Sequence, residues 1–317
     1  MKLSIIIPTF NENDHLERLI DSIGKSDPIE KEIIFTDGGS LDGTWESILK
    51  FGTIYPYIKG VQNPDKYVSQ GFNRAYRQAE GQYLALVGAH AIYPPGYFST
   101  CVTAIESGVC DVAGGFLVHV GRSKMGKTIA LAMASRFGVG DTPFRTSRKR
   151  QYVDSVAFAV YPRRIFESVG LFDEDMVRNQ DDEFHYRVQA AGHRILLLPE
   201  LEVQYFVREH LHALWTQYFQ YGYYKPLVFK KVKSGIRLRH LVPPAFALYL
   251  CGIPIAAGAP GYLWPAAIYA VLSITVSLFT AKCAATFLRL PLVFGVLHLA
   301  YGFGFLKRLI QSVRTGQ

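Results

Sequence analysis

Two acid-bearing stretches of this 317-residue chain have residue types and spacing suited to chemistry. The first, Thr36-Asp37-Gly38-Gly39-Ser40-Leu41-Asp42-Gly43-Thr44, follows the apolar run Glu32-Ile33-Ile34-Phe35. A carboxylate where a buried strand opens into a tight loop can accept hydrogen bonds from a nucleobase or ribose, and glycines let the backbone come close to a ligand. A turn rich in Gly and Asp has the same composition, so this stretch alone leaves both readings open. The second stretch is Asn179-Gln180-Asp181-Asp182-Glu183-Phe184-His185-Tyr186-Arg187. A helix starting near Asp181 would put its acids in the first turn, where the helix dipole favours negative charge, and would turn Phe184 and Val188 to the core. Asp181 would then project into a cleft while remaining ionised. Acid-rich helix starts are also common without any catalytic duty.

The elements that must position these acids read as alternating strands and helices. Leu3-Ser4-Ile5-Ile6-Ile7-Pro8-Thr9-Phe10-Asn11-Glu12 is another buried-strand run that ends in a polar loop. Two strand–loop–helix units in tandem predict the nucleotide-binding half-sheet of an α/β fold. Leu16, Leu19, Ile20 and Ile23 form the stripe of the first helix, and Trp45, Ile48 and Leu49 pack the second on the sheet. Further strands are predicted over 57–61, 83–87, 111–116, 152–161 and 195–199, with a short helix over 163–169. The 63–75 loop feeds a helix that runs to Glu80. Residues 121–150, rich in Gly, Lys, Arg, Ser and Thr and with a helical patch near Ile129–Phe137, read as a mobile insertion over the active site.

The texts Ile5-Ile6-Ile7-Pro8-Thr9-Phe10-Asn11-Glu12 and Thr36 to Thr44 closely resemble the opening of family 2 glycosyltransferases. The resemblance implies the GT-A fold, a Rossmann-like nucleotide-diphospho-sugar transferase domain. It also implies that Pro8, Thr9, Glu12 and Asp37 cradle the uridine of a nucleotide sugar, and that the 63–75 loop and helix start, with Lys66 and Asn73, face the donor. Lys66 and Arg74 can touch phosphate there, but a solvated surface charge is the commoner reading of each. Most relatives carry Asp-x-Asp after the fourth strand, whose oxygens hold Mg²⁺ or Mn²⁺ against the diphosphate. Here the text is Gly88-Ala89-His90, with Pro94-Pro95-Gly96 following in the family's register. Gly88 offers no ligand. His90 can bind a divalent cation through neutral imidazole, or can hydrogen-bond diphosphate or backbone with no metal. Register through Glu183 and Arg187 puts Asp181 at the family's catalytic base and Gln180 at its Glu.

Three further texts are similar to the succinoglycan-type exopolysaccharide glucosyltransferases of bacteria: Val153-Asp154-Ser155-Val156, Asn179 to Phe184, and Gln217-Tyr218-Phe219-Gln220-Tyr221-Gly222-Tyr223-Tyr224-Lys225. The implied reaction is inverting transfer of a hexose, glucose in that subfamily, from a UDP-sugar to a sugar on a polyprenyl diphosphate. The alternatives are a polyprenyl-phosphate hexose synthase and a non-catalytic nucleotide-sugar-binding membrane protein, the latter suggested by Gly88.

The formal charge of +8 gathers at 145–150 and 225–239, and the second cluster precedes an apolar tail, where bases meet anionic lipid headgroups. No zinc-finger, RNP or helix-turn-helix pattern is present, so nucleic acid is not an expected partner. Cys101, Cys110, Cys251 and Cys283 show no C-x-x-C spacing, which predicts neither a disulfide framework nor a zinc site and fits a reducing cytoplasm. Met1-Lys2 leads directly into a core strand, which predicts no signal peptide. The expected organisation is a catalytic domain over 1–205, an interfacial aromatic and basic segment over 206–240, and a membrane region over 241–317 with two or three hydrophobic helices. Leu241–Ala259 and Tyr262–Ala281 are each long enough to span about 30 Å of hydrocarbon, with Pro243, Pro244 and Pro254 predicting an irregular first span. Leu290–Phe305 is shorter, and two spans keep all flanking bases on one side. The catalytic domain is expected to face the cytoplasm at the inner membrane.

Overall fold

Short β-branched runs alternating with amphipathic stretches give a mixed sheet with helices on its faces, and long apolar runs near the C-terminus give a helical bundle. A computed structural model describes residues 2–24, 29–232, 235–256, 258–259 and 261–315. Lys233, counted above among the bases, lies outside them.

In chain order the first half comprises β1 (Lys2–Thr9), α1 (Asn13–Gly24), β2 (Glu30–Asp37), α2 (Thr44–Ile54), β3 (Ile58–Gln62), α3 (Val68–Tyr76), β4 (Tyr83–Leu86), β5 (Ala91–Ile92), α4 (Tyr97–Glu106) and β6 (Val112–Val120). There follow α5 (Lys124–Met133), α6 (Arg136–Val139), α7 (Pro143–Thr146), β7 (Gln151–Tyr152), β8 (Val160–Pro162), α8 (Arg163–Val169), α9 (Gln180–Ala190) and β9 (Ile195–Phe206). The chain ends in α10 (Leu211–Val232), α11 (Leu238–Ala256), α12 (Trp264–Thr280) and α13 (Ala284–Thr315). It divides into two compact units, residues 1–118 with 147–205 and residues 119–146 with 206–317.

In the first unit the strand order is β3-β2-β1-β4-β8-β6-β9-β5, with β7 also on β9. β1, β2, β3 and β4 run parallel, while β8 returns antiparallel to β4. Ile5, Ile6, Ile7, Ile33, Ile34 and Phe35 are fully buried, as strands covered on both faces require. Each such side chain contributes roughly 1.5–3 kcal/mol by leaving water. The parallel registers Thr9↔Asp37 and Ile6↔Leu86 bring the carboxyl ends of β1, β2 and β4 to one edge. The acids of both chemical stretches lie in this unit.

Three sequence expectations are corrected here. The strand expected over 152–161 is only β7 and β8, because Phe158 adopts φ 53 and breaks the extended path between them. Residues 121–150 are not a loose insertion. Residues 124–146 form α5 to α7 in the second unit, which extends the helical patch expected near Ile129–Phe137, with Ser123 and Ser135 capping the first two helices and Ile129, Ala132 and Met133 buried. The third apolar run, expected to be the shortest, is the 32-residue helix α13.

In the second unit α13 packs against α10, α11, α12 and α5. Glycines set the closest approaches. A Cβ on Gly304 would run into the carbonyl oxygen of Phe219, one on Gly222 into that of Tyr301, and one on Gly302 would stand 2.5 Å from that of Pro243. Small residues at such crossings let helix backbones touch. α11 stays helical through its prolines. Trp264, Ile268, Val271, Leu278 and Phe279 on α12 and Leu288, Leu292, Ile310 and Val313 on α13 are exposed. Ala284–Arg314, at mean hydropathy 1.5 over its apolar window, is the one described helix long and apolar enough to cross a membrane; α12, with 17 residues, is apolar but shorter.

Candidate functional site

The loops after β1 and β2 are stitched into one ledge. Asp37 Oδ2 accepts from the backbone of Gly39 and Ser40, both at 3.0 Å, and Oδ1 accepts from Ser40 Oγ at 2.5 Å and Thr9 Oγ1 at 3.4 Å. Its carboxylate, 3% exposed, thereby folds its own loop. Asn11, at φ 55, donates its N–H to Ser40 Oγ, and its side-chain oxygen accepts from Leu41 N. Glu12 N donates to Thr44 Oγ1, and Asn13 N to Asp42 Oδ2. Against the penalty of burial, bonds from Thr44 and Asn13 hold the Asp42 carboxyl below its ordinary range.

The turn after β3 closes on this ledge. Asn63 N donates to Asp37 O at 2.7 Å, and a Cβ on Gly38 would stand 3.2 Å from Lys66 O, so a glycine suits that close approach. Lys66 sits at φ 67 with its side chain exposed, and no partner of its ammonium group is found among the described residues.

The end of β4 faces the same edge. Gly88 N donates to Tyr93 Oη at 3.1 Å. The ring of Phe158 covers the Gly88 Cα, and a Cβ there would stand 2.6 Å from Phe158 Cε1. Phe158 is held by Tyr97 Oη, which donates to its carbonyl at 2.8 Å, and by the rings of Tyr93 and Tyr205. Two residues on, His90 Nδ1 lies 3.2 Å from Glu12 Oε1, and the imidazole meets the Tyr205 ring at 5.2 Å.

Asp181 stands in the first turn of α9, half-buried, with one carboxylate oxygen accepting from Asp182 N. One turn later His185 is fully buried between two hydroxyls, Ser155 Oγ at 3.0 Å from Nδ1 and Tyr161 Oη at 2.7 Å from Nε2. Burial pushes His185 down to about 4, against a small opposing pull from Asp182. Burial, aided by the charge of Asp181, pushes the Tyr161 phenol well up. Both rings are therefore neutral beneath the acids of α9. Arg187 chelates Glu183 at 2.7 and 2.8 Å and donates to Val169 O and Leu171 O, which fixes the helix against the end of α8.

α3 ties the ledge to α9. Its chain enters from the Asn63–Lys66 turn, and Ser69 Oγ, Gln70 Nε2 and Asn73 Nδ2 donate to Met176 O, Glu174 O and Phe172 O, the segment leading into α9. Asn73, expected to face a donor, is 2% exposed and donates its amide to Phe172 O and Glu174 Oε1. Thr9 and Asp37 touch each other, as do Glu12 and His90; Pro8 lies one residue before Thr9 in β1, and Lys66 beside Gly38.

Sequence reasoning missed Phe158 and His185. Nothing in the sequence marks a left-handed phenylalanine. His185 was findable as the residue four after Asp181 in a helix. For a divalent cation, the described residues hold no group of three or more His, Cys, Asp or Glu side chains. They do offer one carboxylate and one imidazole side by side at Glu12 and His90, a donor set that fits an ion whose other ligands are phosphate and water.

A family model described as glycosyl transferase family 2 matches residues 4–170. The succinoglycan biosynthesis protein ExoA of Rhizobium meliloti is 33% identical over 80% of this chain and 76% of its own length. A dolichyl N-acetyl-alpha-D-glucosaminyl phosphate 3-beta-D-2,3-diacetamido-2,3-dideoxy-beta-D-glucuronosyltransferase of Methanococcus voltae is 26% identical over 99% of this chain and 98% of its own. Among solved structures, the mannosyltransferase PcManGT of Pyrobaculum calidifontis, in complex with GDP-Man and Mn²⁺, covers 98% of this chain and 87% of its own with TM-score 0.64 and 18% identity. Likeness at that identity speaks for a shared fold.

Proposed function

The chain belongs to glycosyl transferase family 2, as a glycosyltransferase of GT-A fold, and we propose that it moves a hexose from a UDP-sugar to a lipid-linked sugar in extracellular polysaccharide synthesis. Glucose is the hexose and a polyprenyl diphosphate the carrier that this reading takes. A relative whose name specifies a dolichyl-phosphate-linked sugar as acceptor supports the lipid-linked class.

Pro8, Thr9 and Asp37 meet the uridine, and Lys66 offers a free ammonium to the diphosphate from the neighbouring turn. His90 lies at the same edge, where a bound divalent cation would offset charge on the departing diphosphate. Asp181 takes the proton of the acceptor hydroxyl as that oxygen attacks the anomeric carbon. The new glycosidic bond forms on the face opposite the breaking bond to the diphosphate oxygen, with inversion. The observation that carries this reading is α3: the turn that leads into it is bonded to Asp37 through Asn63 N, and its own Ser69 and Asn73 bond the segment before α9. A donor loop and a base held by one short helix can keep a fixed separation, which in-line displacement requires.

For the membrane, the exposed apolar faces of α12 and α13 meet lipid, and Lys230, Lys231, Lys307 and Arg308 face the cytoplasm at the inner membrane. The test is transfer from labelled UDP-glucose by membranes holding the full chain to a polyprenyl-diphosphate sugar, with polyprenyl phosphate in parallel. Product on the phosphate alone would favour the hexose synthase, whose anionic acceptor needs no base. No product with any nucleotide sugar and acceptor would sink the enzyme reading.

A further inference from the structure

We propose that Glu12 and His90 together form a seat for a divalent cation, with Mn²⁺ preferred over Mg²⁺, in place of a ligand at position 88. The proposal rests on the nucleotide-sugar reading, because two protein donors leave the remaining coordination places to a diphosphate and water.

Three observations carry it. Position 88 is closed to any ligand: the Phe158 ring fills the space, and that ring is anchored through its own carbonyl by Tyr97. Phe158 holds a left-handed backbone to do so, which costs a bulky residue energy and points to a built feature. Next, Glu12 Oε1 and His90 Nδ1 are 3.2 Å apart on partly exposed side chains. Adjacent ligands of an octahedral ion with bonds of about 2.1 Å stand about 3 Å apart. Finally, the main chain at Glu12 is pinned by its N–H on Thr44 Oγ1, and the His90 ring rests on the Tyr205 ring. The parallel pairing of β1 with β4 is what brings together two residues so distant in sequence.

The donor types decide the preference. An imidazole nitrogen suits first-row transition ions, whereas Mg²⁺ favours oxygen alone. Glu12 thus leaves the uridine and takes up the diphosphate's counter-ion.

The full-length protein in detergent is titrated with Mn²⁺ in the presence of UDP, with free Mn²⁺ read by electron paramagnetic resonance. UDP and GDP binding are measured separately by calorimetry. The wild type is expected to take up one Mn²⁺ that Mg²⁺ displaces poorly. Glu12→Gln and His90→Gln are each expected to weaken Mn²⁺ by about tenfold or more with unchanged circular-dichroism melts. Undiminished Mn²⁺ binding by Glu12→Gln overturns the seat. So does a wild type that binds UDP but takes up no Mn²⁺, which would leave the pair as a hydrogen bond only. A protein that binds neither nucleotide overturns the nucleotide-sugar reading itself, and the seat with it.

Discussion

The ring of Phe158 occupies the space a side chain on Gly88 would need, with its Cε1 2.6 Å from where a Cβ would stand. The two residues are therefore one feature: the glycine admits the ring, and the ring excludes a carboxylate. Gly88→Asp alone should not improve cation binding and should lower stability by about 1–3 kcal/mol, the range for overpacking. Gly88→Asp with Phe158→Ala opens the space and should raise Mn²⁺ affinity above that of the single variant. Equal Mn²⁺ affinity of the two variants in titration would show that Phe158 is not the obstacle.

Asp181→Asn retains shape and hydrogen-bonding reach but cannot accept a proton. Transfer should fall about 10²–10⁴-fold, while UDP affinity stays at the wild-type value. A variant that transfers sugar at the wild-type rate would remove Asp181 from the role of base.

His185 gives a pH signature in stability. Burial holds it at about 4 in the folded chain, and a free imidazole titrates at about 6.5. Between those values the unfolded chain binds a proton that the folded chain refuses, so stability falls as pH drops through that window. His119, half-buried, is held at about 3 by desolvation and by the charge of Arg145, and acts in the same direction. His185→Gln should lose less of its thermal midpoint between pH 7 and pH 5 than the wild type loses. Equal losses measured by circular dichroism would show that His185 does not carry the acid sensitivity.

The α3 clamp separates positioning from binding. Ser69→Ala and Asn73→Ala each remove a buried donor to the segment before α9, at a cost of about 1–3 kcal/mol for the carbonyl left unpaired. Turnover should drop while UDP affinity is kept, because the Asp37 loop has its own internal bonds. A loss confined to UDP affinity would place α3 at the donor alone.

What the sequence made legible follows the range of the forces involved. β1, β2 and their loops were readable because their cues are local: apolar runs ending in Asp37 and Asn11, and the stripe Leu16, Leu19, Ile20, Ile23, now buried. α9 was readable from its acidic first turn, with Phe184 and Val188 buried as its periodicity requires. The contact of Glu12 with His90 was not, because it depends on β4 inserting beside β1. Phe158 was hidden for a sharper reason: Val156 to Val160 has strand composition, and one positive φ overrides it. Within 121–150 the helical patch near Ile129–Phe137 was legible, but the burial of Ile129, Ala132 and Met133 was not, because their helical partners come from the far end of the chain.

The membrane reading rests on α13, and packing and lipid contact make different demands on it. Its inward side, with Leu290, Val293, Phe294 and Leu297, is buried, and its outward side exposes Leu288, Leu292, Ile310 and Val313. Gly304→Leu alters only the inward side, where the new side chain would meet the Phe219 backbone of α10. The α10–α13 crossing should then open, and the detergent-solubilised protein should melt several degrees lower, as a loss of about 1–3 kcal/mol predicts. Membrane retention should be unchanged, because leucine makes α13 more apolar and leaves its outward face alone. Wild type and variant should therefore both stay with the pellet in a carbonate wash while differing in thermal midpoint. Release of the wild type by carbonate would end the anchoring role of α13, and an unshifted midpoint would show that the glycine crossing does not hold the bundle.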